Sequence, residues 1–199
     1  MPPQAQTATL LTHFAEAPAR PNELDDLELI HALYHPSIFR FLLLSLKDRD
    51  AAHSLTQDTF LRAWRSREAF RGDCSVHTWL MRIALNLLRD HTRTNRFRFW
   101  KKVSATAVDA ADLKSHLPHP TSSAEAQLIA HQQMEIVWAT VASLSGRQRS
   151  IFLLRFVDEL ELPDIAAATG LSISTVKSHL YRALAAVRAA NSAPSKDPK

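Results

Sequence analysis

Apolar residues recur at spacings of three and four along most of the chain, with few β-branched runs and only three glycines to interrupt them. That spacing is the helical period, so the chain is predicted to be all-α. Leu27, Ile30, Leu33 and Tyr34 share one face, and Ile38, Phe41, Leu42 and Leu46 continue the core. Pro36 falls where one helix would end and the next begin. Asp50 to Arg65 places Leu55, Thr59 and Phe60 on a common side. The loop Phe70-Arg71-Gly72-Asp73-Cys74-Ser75 breaks the pattern. A long helix from Val76 to about Arg93 is expected to bury Leu80, Ile83, Ala84, Leu87 and Leu88. Further on, Ile129, Ile136, Val137, Val141 and Leu144 form another stripe.

The sharpest local pattern runs from Leu162 to Arg188. Leu162 to Ala168 reads as a short apolar helix, and Thr169-Gly170-Leu171 as a tight turn with glycine where a left-handed backbone is cheapest. Ser172 is placed to cap a second helix, Ile173 to about Ala189. Its apolar face is Ile173, Val176, Leu180, Leu184 and Val187, with Lys177 near the buried side. The opposite face carries Thr175, Ser178 and Arg182, flanked by Ser174 and Tyr181. Such a helix-turn-helix, with hydroxyls and a cation outward, suits a major-groove reader.

Composition divides the chain further. Residues 1–22, rich in Pro, Ala, Thr and Gln, are predicted to be a flexible tail. Residues 23–100 form a first helical domain, 101–123 a linker containing Pro118 and Pro120, 124–190 the helix-turn-helix domain, and 191–199 a second tail. The net charge of +4 hides a strong asymmetry. Phe60 to Lys102 holds 11 Lys/Arg against 3 Asp/Glu, whereas Met1 to Thr59 holds 4 against 8. A polyanion suits the first block and a different partner the second. The basic block also interleaves Phe60, Trp64, Phe70, Trp79, Phe97, Phe99 and Trp100, aromatics of the kind that stack on unpaired bases. Trp79 lies close to the face of Leu80 and Ile83 and is expected in the core. Phe70, before a glycine loop, is open to either role.

Other chemistries find little support. Cys74 is the only cysteine, so a disulfide framework or cysteine zinc site within the chain is excluded. His31 and His35 are four apart, as a two-ligand metal site requires, but Pro36 and the lack of a third ligand argue against one. Asp73 and His77 lack a nucleophile and an oxyanion site, so no enzymatic activity and no cofactor are expected. The N-terminus lacks the order of a secretion signal, and Phe41 to Leu46 is too short to span a membrane, so a cytoplasmic protein without membrane insertion is expected.

Three runs carry a family resemblance: Thr59-Phe60-Leu61-Arg62-Ala63-Trp64, Phe70-Arg71-Gly72-Asp73, and Thr78-Trp79-Leu80-Met81-Arg82-Ile83-Ala84-Leu85-Asn86. They resemble the promoter-melting domain of bacterial sigma factors of the extracytoplasmic-function class. Leu144-Ser145-Gly146-Arg147-Gln148-Arg149, Phe152-Leu153-Leu154-Arg155 and Thr175-Val176-Lys177-Ser178-His179-Leu180-Tyr181-Arg182-Ala183 resemble the second domain of the same class. The two similarities span about residues 24–96 and 125–188.

The resemblance implies a set of roles. Core RNA polymerase would be met by Ser54, Gln57, Asp58 and Arg62. The −10 element of promoter DNA would be met by Phe70, Arg71, Gly72, Asp73, Asn86, Arg89 and Arg93, with the loop as a pocket for an extruded base. The −35 duplex would be met by Arg147, Arg149, Thr175, Lys177, Ser178, His179, Tyr181 and Arg182. An anti-sigma factor, often membrane-bound in this class, would be the regulator. Ser54-Leu55-Thr56-Gln57-Asp58 stands where the class usually has Asp-Leu-Val-Gln-Glu, so one carboxylate is lost and another shortened. His179 stands where arginine is common, which weakens phosphate contact at neutral pH. Two rival readings are a free-standing helix-turn-helix regulator, which would bind a palindromic duplex without polymerase, and a nucleic-acid-processing enzyme, which would cluster acidic residues in a basic cleft.

Overall fold

A computed structural model of the chain describes residues 26–99 and 124–192. The expected linker, the expected N-terminal tail and most of the expected C-terminal tail lie outside the described residues, as do the side chains of Phe97, Phe99, Trp100 and Ile129. The described residues form seven α-helices and no strand: α1 Leu27–Leu46, α2 Arg49–Arg65, α3 Val76–Phe99, α4 Ala124–Ser143, α5 Gly146–Phe156, α6 Leu162–Thr169 and α7 Ile173–Ser192. A 3₁₀ turn, Arg67–Ala69, follows α2.

Short polar side chains set the boundaries. Asp26 accepts from the Leu29 amide at 2.9 Å, and Asp48 from Ala51 at 3.0 Å. Ser75 accepts from Thr78 at 3.1 Å to open α3. Ser145 and Gln148 form a reciprocal capping box at α5. Each satisfies an amide that the helix itself cannot.

Helices α1, α2 and α3 pack against one another around Ile38, Phe41, Leu42, Leu80 and Met81. The hydroxyls of Thr56 and Thr59 enter this interior satisfied, each donating at 2.7 Å to the carbonyl four residues back. Helices α4, α5 and α6 surround α7 over Ile151, Leu153, Leu154, Ile165 and Val176. The two groups also touch, α1 against α5 and α3 against α6.

Pro36 does not separate two helices. It lies inside α1, which runs unbroken from Leu27 to Leu46. The proline removes one backbone bond, at a typical cost near 3 kcal/mol in a helix interior. Burial of Ile30, Ile38, Phe41 and Leu42 along the same helix outweighs that loss. The uninterrupted α1 is also long and apolar enough to cross a membrane by length and composition, contrary to the expectation from Phe41 to Leu46 alone. Its apolar face is instead occupied by α2, α3 and α5. Three further residues leave their predicted faces: Leu33 is 40%, Ile136 42% and Ile173 44% exposed. Ile136 sits on a side of α4 left partly open among the described residues, and Ile173 belongs to the first turn of α7, ahead of the packed stretch. Lys177 is exposed rather than near the buried side.

Replacing Pro36 with alanine restores the missing donor without enlarging the side chain. Pro36→Ala is expected to stabilise the chain by about 1–3 kcal/mol, the helix gain less the entropy it returns to the unfolded state. Urea denaturation checks this; a loss of stability would mean that the ring supplies packing worth more than the helix bond.

Candidate nucleic-acid interface

On α3, Arg82, Asn86, Arg89 and Arg93 are all exposed. Their spacings of four, three and four place them on one face, forming a polar, cationic stripe. The opposite face is buried at Leu80, Ala84, Leu87 and Leu88. Arg82 was absent from the expected set although the same periodicity marks it. The Arg93 charge is partly offset by Asp90 at 3.5 Å.

The loop before α3 is built as expected in part. Gly72 adopts a left-handed backbone, φ 74°. Arg71 and Asp73 are exposed. Phe70 is only partly buried, and its ring packs at 5.0 Å on Trp79, which is itself in the core. Phe70 thus forms one wall of the loop with one side of its ring already engaged. Burial pushes the Cys74 thiol up, which disfavours the reactive thiolate.

The helix-turn-helix is present as predicted. Gly170 closes α6 in the left-handed region at φ 70°, and the Ser172 hydroxyl accepts from the Thr175 amide at 3.3 Å. Lys177, Ser178, Tyr181 and Arg182 are exposed on α7, Arg147 is exposed at the start of α5, and Thr175 is partly buried. His179 is turned partly inward, its Nδ1 buried without a hydrogen-bonding partner among the described residues.

Arg149 departs most from expectation. Its guanidinium donates to the carbonyls of Val141 at 3.2 Å, Leu144 at 3.1 Å and Ala142. It also crosses to the first helical group, donating to Ser45 O at 3.1 Å. It caps the end of α4 instead of facing duplex DNA, because the last carbonyls of a helix lack donors of its own. Ser54, Gln57, Asp58 and Arg62 line the exposed side of α2, with the exposed Leu61 among them.

A cluster absent from the expected set lies between the two helical groups. Asp158, in the turn after α5, has a side chain with 0% exposure. Ser37 on α1 donates to its Oδ1 at 2.7 Å, and Arg40 Nη2 reaches the same atom at 3.2 Å. The Ser37 hydrogen is thereby used, so the bond of 2.9 Å between Ser37 Oγ and His77 Nε2 has the imidazole as donor. Serine bonded directly to the carboxylate is not a nucleophile activated by histidine. Burial pushes Asp158 up to about 6. Burial, with the Arg40 charge, holds His77 down to about 4. Arg40 Nε and Asp158 Oδ2 are buried without partners among the described residues, a cost of about 1–3 kcal/mol for each such group.

His31 and His35 do share one helix, with ring centroids 4.6 Å apart. They pack with Phe60 and Phe39, and Phe39 lies 4.3 Å from His53. Among the described residues no group of three His, Cys, Asp or Glu could hold a metal ion.

Two predictions follow from these environments. Arg149→Ala is expected to cost about 1.5–3 kcal/mol in stability, the scale of hydrogen bonds to a charged group. It should lower the melting temperature while leaving base preference alone; a changed preference with intact stability would return Arg149 to the DNA. The pH dependence should split in sign. Asp158 binds its proton more tightly when folded, so its contribution strengthens as pH falls from 7 to 5; His77 resists protonation when folded, so its contribution weakens. Relative to wild type, His77→Gln should therefore gain melting temperature on acidification and Asp158→Asn should lose it. Thermal melts at pH 7 and 5 decide, and parallel shifts would contradict the assignment.

Comparison with known proteins gives a consistent picture. The Sigma-70 region 2 family matches residues 30–98, and the Sigma-70, region 4 family matches residues 134–187. The chain is 26% identical over 161 residues to the ECF RNA polymerase sigma factor SigX of Bacillus subtilis, covering 81% of each chain. It is 30% identical over 134 residues to the ECF RNA polymerase sigma-E factor of Escherichia coli K12, covering 67% of this chain and 70% of the relative. Its fold is similar to the sigma factor RpoE of Bartonella quintana, solved in complex with the anti-sigma factor NepR, with a TM-score of 0.63, 21% identity, and 83% and 96% of the two chains covered. It is also similar to CnrH in complex with the cytosolic domain of CnrY, with a TM-score of 0.58, 22% identity, and 85% and 89% covered.

Proposed function

The chain belongs to the extracytoplasmic-function RNA polymerase sigma factors, and from that premise we propose how its residues divide the work of transcription initiation. The observation that carries the reading is the pair of region 2 and region 4 matches, in that order. Residues 23–100 act as the core-binding and promoter-melting domain, and residues 124–190 read the −35 duplex, with 101–123 as the connection.

Core polymerase is met by the exposed side of α2 at Ser54, Gln57, Asp58 and Arg62. The α3 stripe of Arg82, Asn86, Arg89 and Arg93 tracks the non-template strand through its phosphates. The loop of Phe70, Arg71, Gly72 and Asp73 receives an extruded base. Asn86 offers both a donor and an acceptor to a base edge. On α7, Lys177, Ser178, Tyr181 and Arg182 meet the duplex, with Arg147 beside them; a helix of this kind fits the major groove. Polymerase performs the chemistry, and this chain contributes promoter choice without a catalytic site of its own. It works in the cytoplasm, where promoter and polymerase are. An anti-sigma factor, as in the two solved complexes of similar fold, is its regulator.

The direct test is run-off transcription from host genomic fragments by purified core polymerase. Specific transcripts are expected only when the chain is added; their absence would refute the proposal, and a palindromic site bound without polymerase would favour a free-standing regulator. Within that assay the domains should separate. Arg182→Ala is expected to remove about 1–3 kcal/mol of discrimination at one −35 base pair if it contacts guanine through both nitrogens. A uniform loss would make it a phosphate contact. Asn86→Ala should alter base preference at −10 and leave −35 preference unchanged. A template already melted at −10 should rescue only defects of strand opening.

A further inference from the structure

Three guanidinium groups surround one cavity at the seam of the two helical groups. Arg89 comes from α3, and Arg147 and Arg149 come from the first turn of α5. The cavity holds about 250 Å³ and opens to solvent. No carboxylate is among the residues that line it, and none of the three arginines is ion-paired among the described residues. Arg149 is half-buried, and its donors are spent on carbonyls, which satisfy hydrogen bonds and leave the charge itself unmatched. Burial accordingly lowers its pKa. Charges withdrawn from water are ordinarily paired; here the protein supplies no counter-charge.

The other two arginines are open to a ligand. Arg147 has no hydrogen bond or ion pair among the described residues. Arg89 commits one donor, Nη2, to Thr169 O at 3.2 Å, which pins its head beside the cavity. A guanidinium carries five N–H groups, so most of both forks are unused. Ser150, 9% exposed, lines the same cavity, and its hydroxyl has no hydrogen-bonding partner among the described residues. A polar side chain buried so deeply ordinarily has one. Gly146 opens α5 at the same wall, where a Cβ would meet nothing within 4 Å and the first amides of the helix lack acceptors within it. The remaining wall is apolar, built from Leu85, Leu88, Ile151 and Leu171.

These features select a ligand. Two open forks on different helices, with a third fixed charge beside them, call for more than one negative charge and several acceptor oxygens. A phosphate monoester carries about −1.5 to −2 at neutral pH and three strong acceptors, whereas a carboxylate brings one charge and two oxygens. The apolar wall calls for a compact hydrocarbon body. The volume falls below the roughly 300–1,000 Å³ of ordinary ligand sites, which limits that body to a small ring or a short chain and keeps duplex DNA out. We propose that this cavity binds a small phosphomonoester, its phosphate between Arg89 and Arg147 beside the Ser150 hydroxyl and its apolar body against Leu88 and Ile151. The site does not depend on the sigma-factor reading; its effect on promoter binding does, because Arg89 and Arg147 are also assigned to the −10 and −35 contacts. A bound phosphomonoester neutralises one cation of each set and so opposes binding to DNA.

The test titrates the purified full-length chain with phenyl phosphate by calorimetry at constant ionic strength, with inorganic phosphate and benzoate as comparison probes. Saturable binding of one phenyl phosphate per chain is expected, with the other two probes weaker by about tenfold or more. Arg147→Gln and Arg89→Gln should each lower the affinity by about tenfold, the scale of a lost charge-assisted hydrogen bond. Ser150→Ala should lower it by about threefold and leave duplex binding and melting temperature as in wild type. No saturation by about 10 mM, equal affinity for the three probes, or an affinity that none of the variants changes would each overturn the site. Fluorescence anisotropy with a short duplex at low salt should show weaker binding as phenyl phosphate saturates the chain; unhindered joint binding would overturn the competition. Run-off transcription without added phosphomonoester tests the sigma-factor reading alone. A chain inactive there that still binds phenyl phosphate would refute that reading and leave the site standing.

Discussion

A carboxylate removed from water by two separate bodies constrains this structure more than any other single interaction. The buried apolar residues of the two helical groups join in one cluster, and Asp158 is the carboxylate set into the seam between them. Away from α1 its charge would return to solvent, and against α1 it gives up hydration for one serine hydroxyl and one guanidinium. The exchange is nearly balanced. Its Oδ2 and the Nε of Arg40 are buried without partners among the described residues, and the ion pair is held through one oxygen rather than two. Buried pairs of this kind stabilise weakly, because desolvation cancels much of the attraction. What they supply here is position. Only one register of α5 against α1 brings Asp158 to Ser37.

The same economy shows in how the domains meet elsewhere. A cavity of about 250 Å³, lined by Leu85, Arg89, Arg147, Arg149, Thr169 and Leu171 among others, lies between them. A larger groove of about 730 Å³ is lined by Phe39 and Leu43 on one side and Trp138 and Phe156 on the other. Both open to solvent, so water reaches the seam along these two stretches. Beside the apolar packing of α3 on α6 and α1 on α5, the polar contacts across the seam run to backbone carbonyls and to the Asp158 carboxylate, bonds that water can replace.

Helix identity was legible in the sequence wherever a local rule acted alone. Ser172 and Gly170 bracket the helix-turn-helix because a hydroxyl cap and a left-handed turn are decided by a few neighbouring atoms. The buried faces of α2 and α3 followed from spacing. Pro36 misled because its cost is local while the compensation, burial along the whole of α1, is tertiary. Arg149 misled in a related way. Beside Arg147, in a basic motif, it reads as a phosphate contact; in the fold it meets a helix end whose carbonyls lack donors. Arg82 is legible from the same spacing, since it continues the face of Asn86, Arg89 and Arg93. Asp158 carried no signal at all. An acid between Val157 and Glu159 looks like any polar turn, and its partners are about 120 residues away in sequence.

Tethering explains how so modest an interface can still close. The two bodies are joined through residues 100–123, and a covalent connection of that length confers an effective concentration on the millimolar scale. An interface that would be negligible between separate molecules, near 4 kcal/mol, is then about half formed. At that balance each additional 1.4 kcal/mol shifts the closed fraction by about tenfold in equilibrium constant. A ligand that needs the two bodies apart pulls toward the open form, whereas a ligand that touches both bodies at once pulls the other way. A tight, fully satisfied interface would have resisted both. The atoms of Asp158 and Arg40 left without partners among the described residues weaken this contact and bring it closer to the range that a binding partner can reverse.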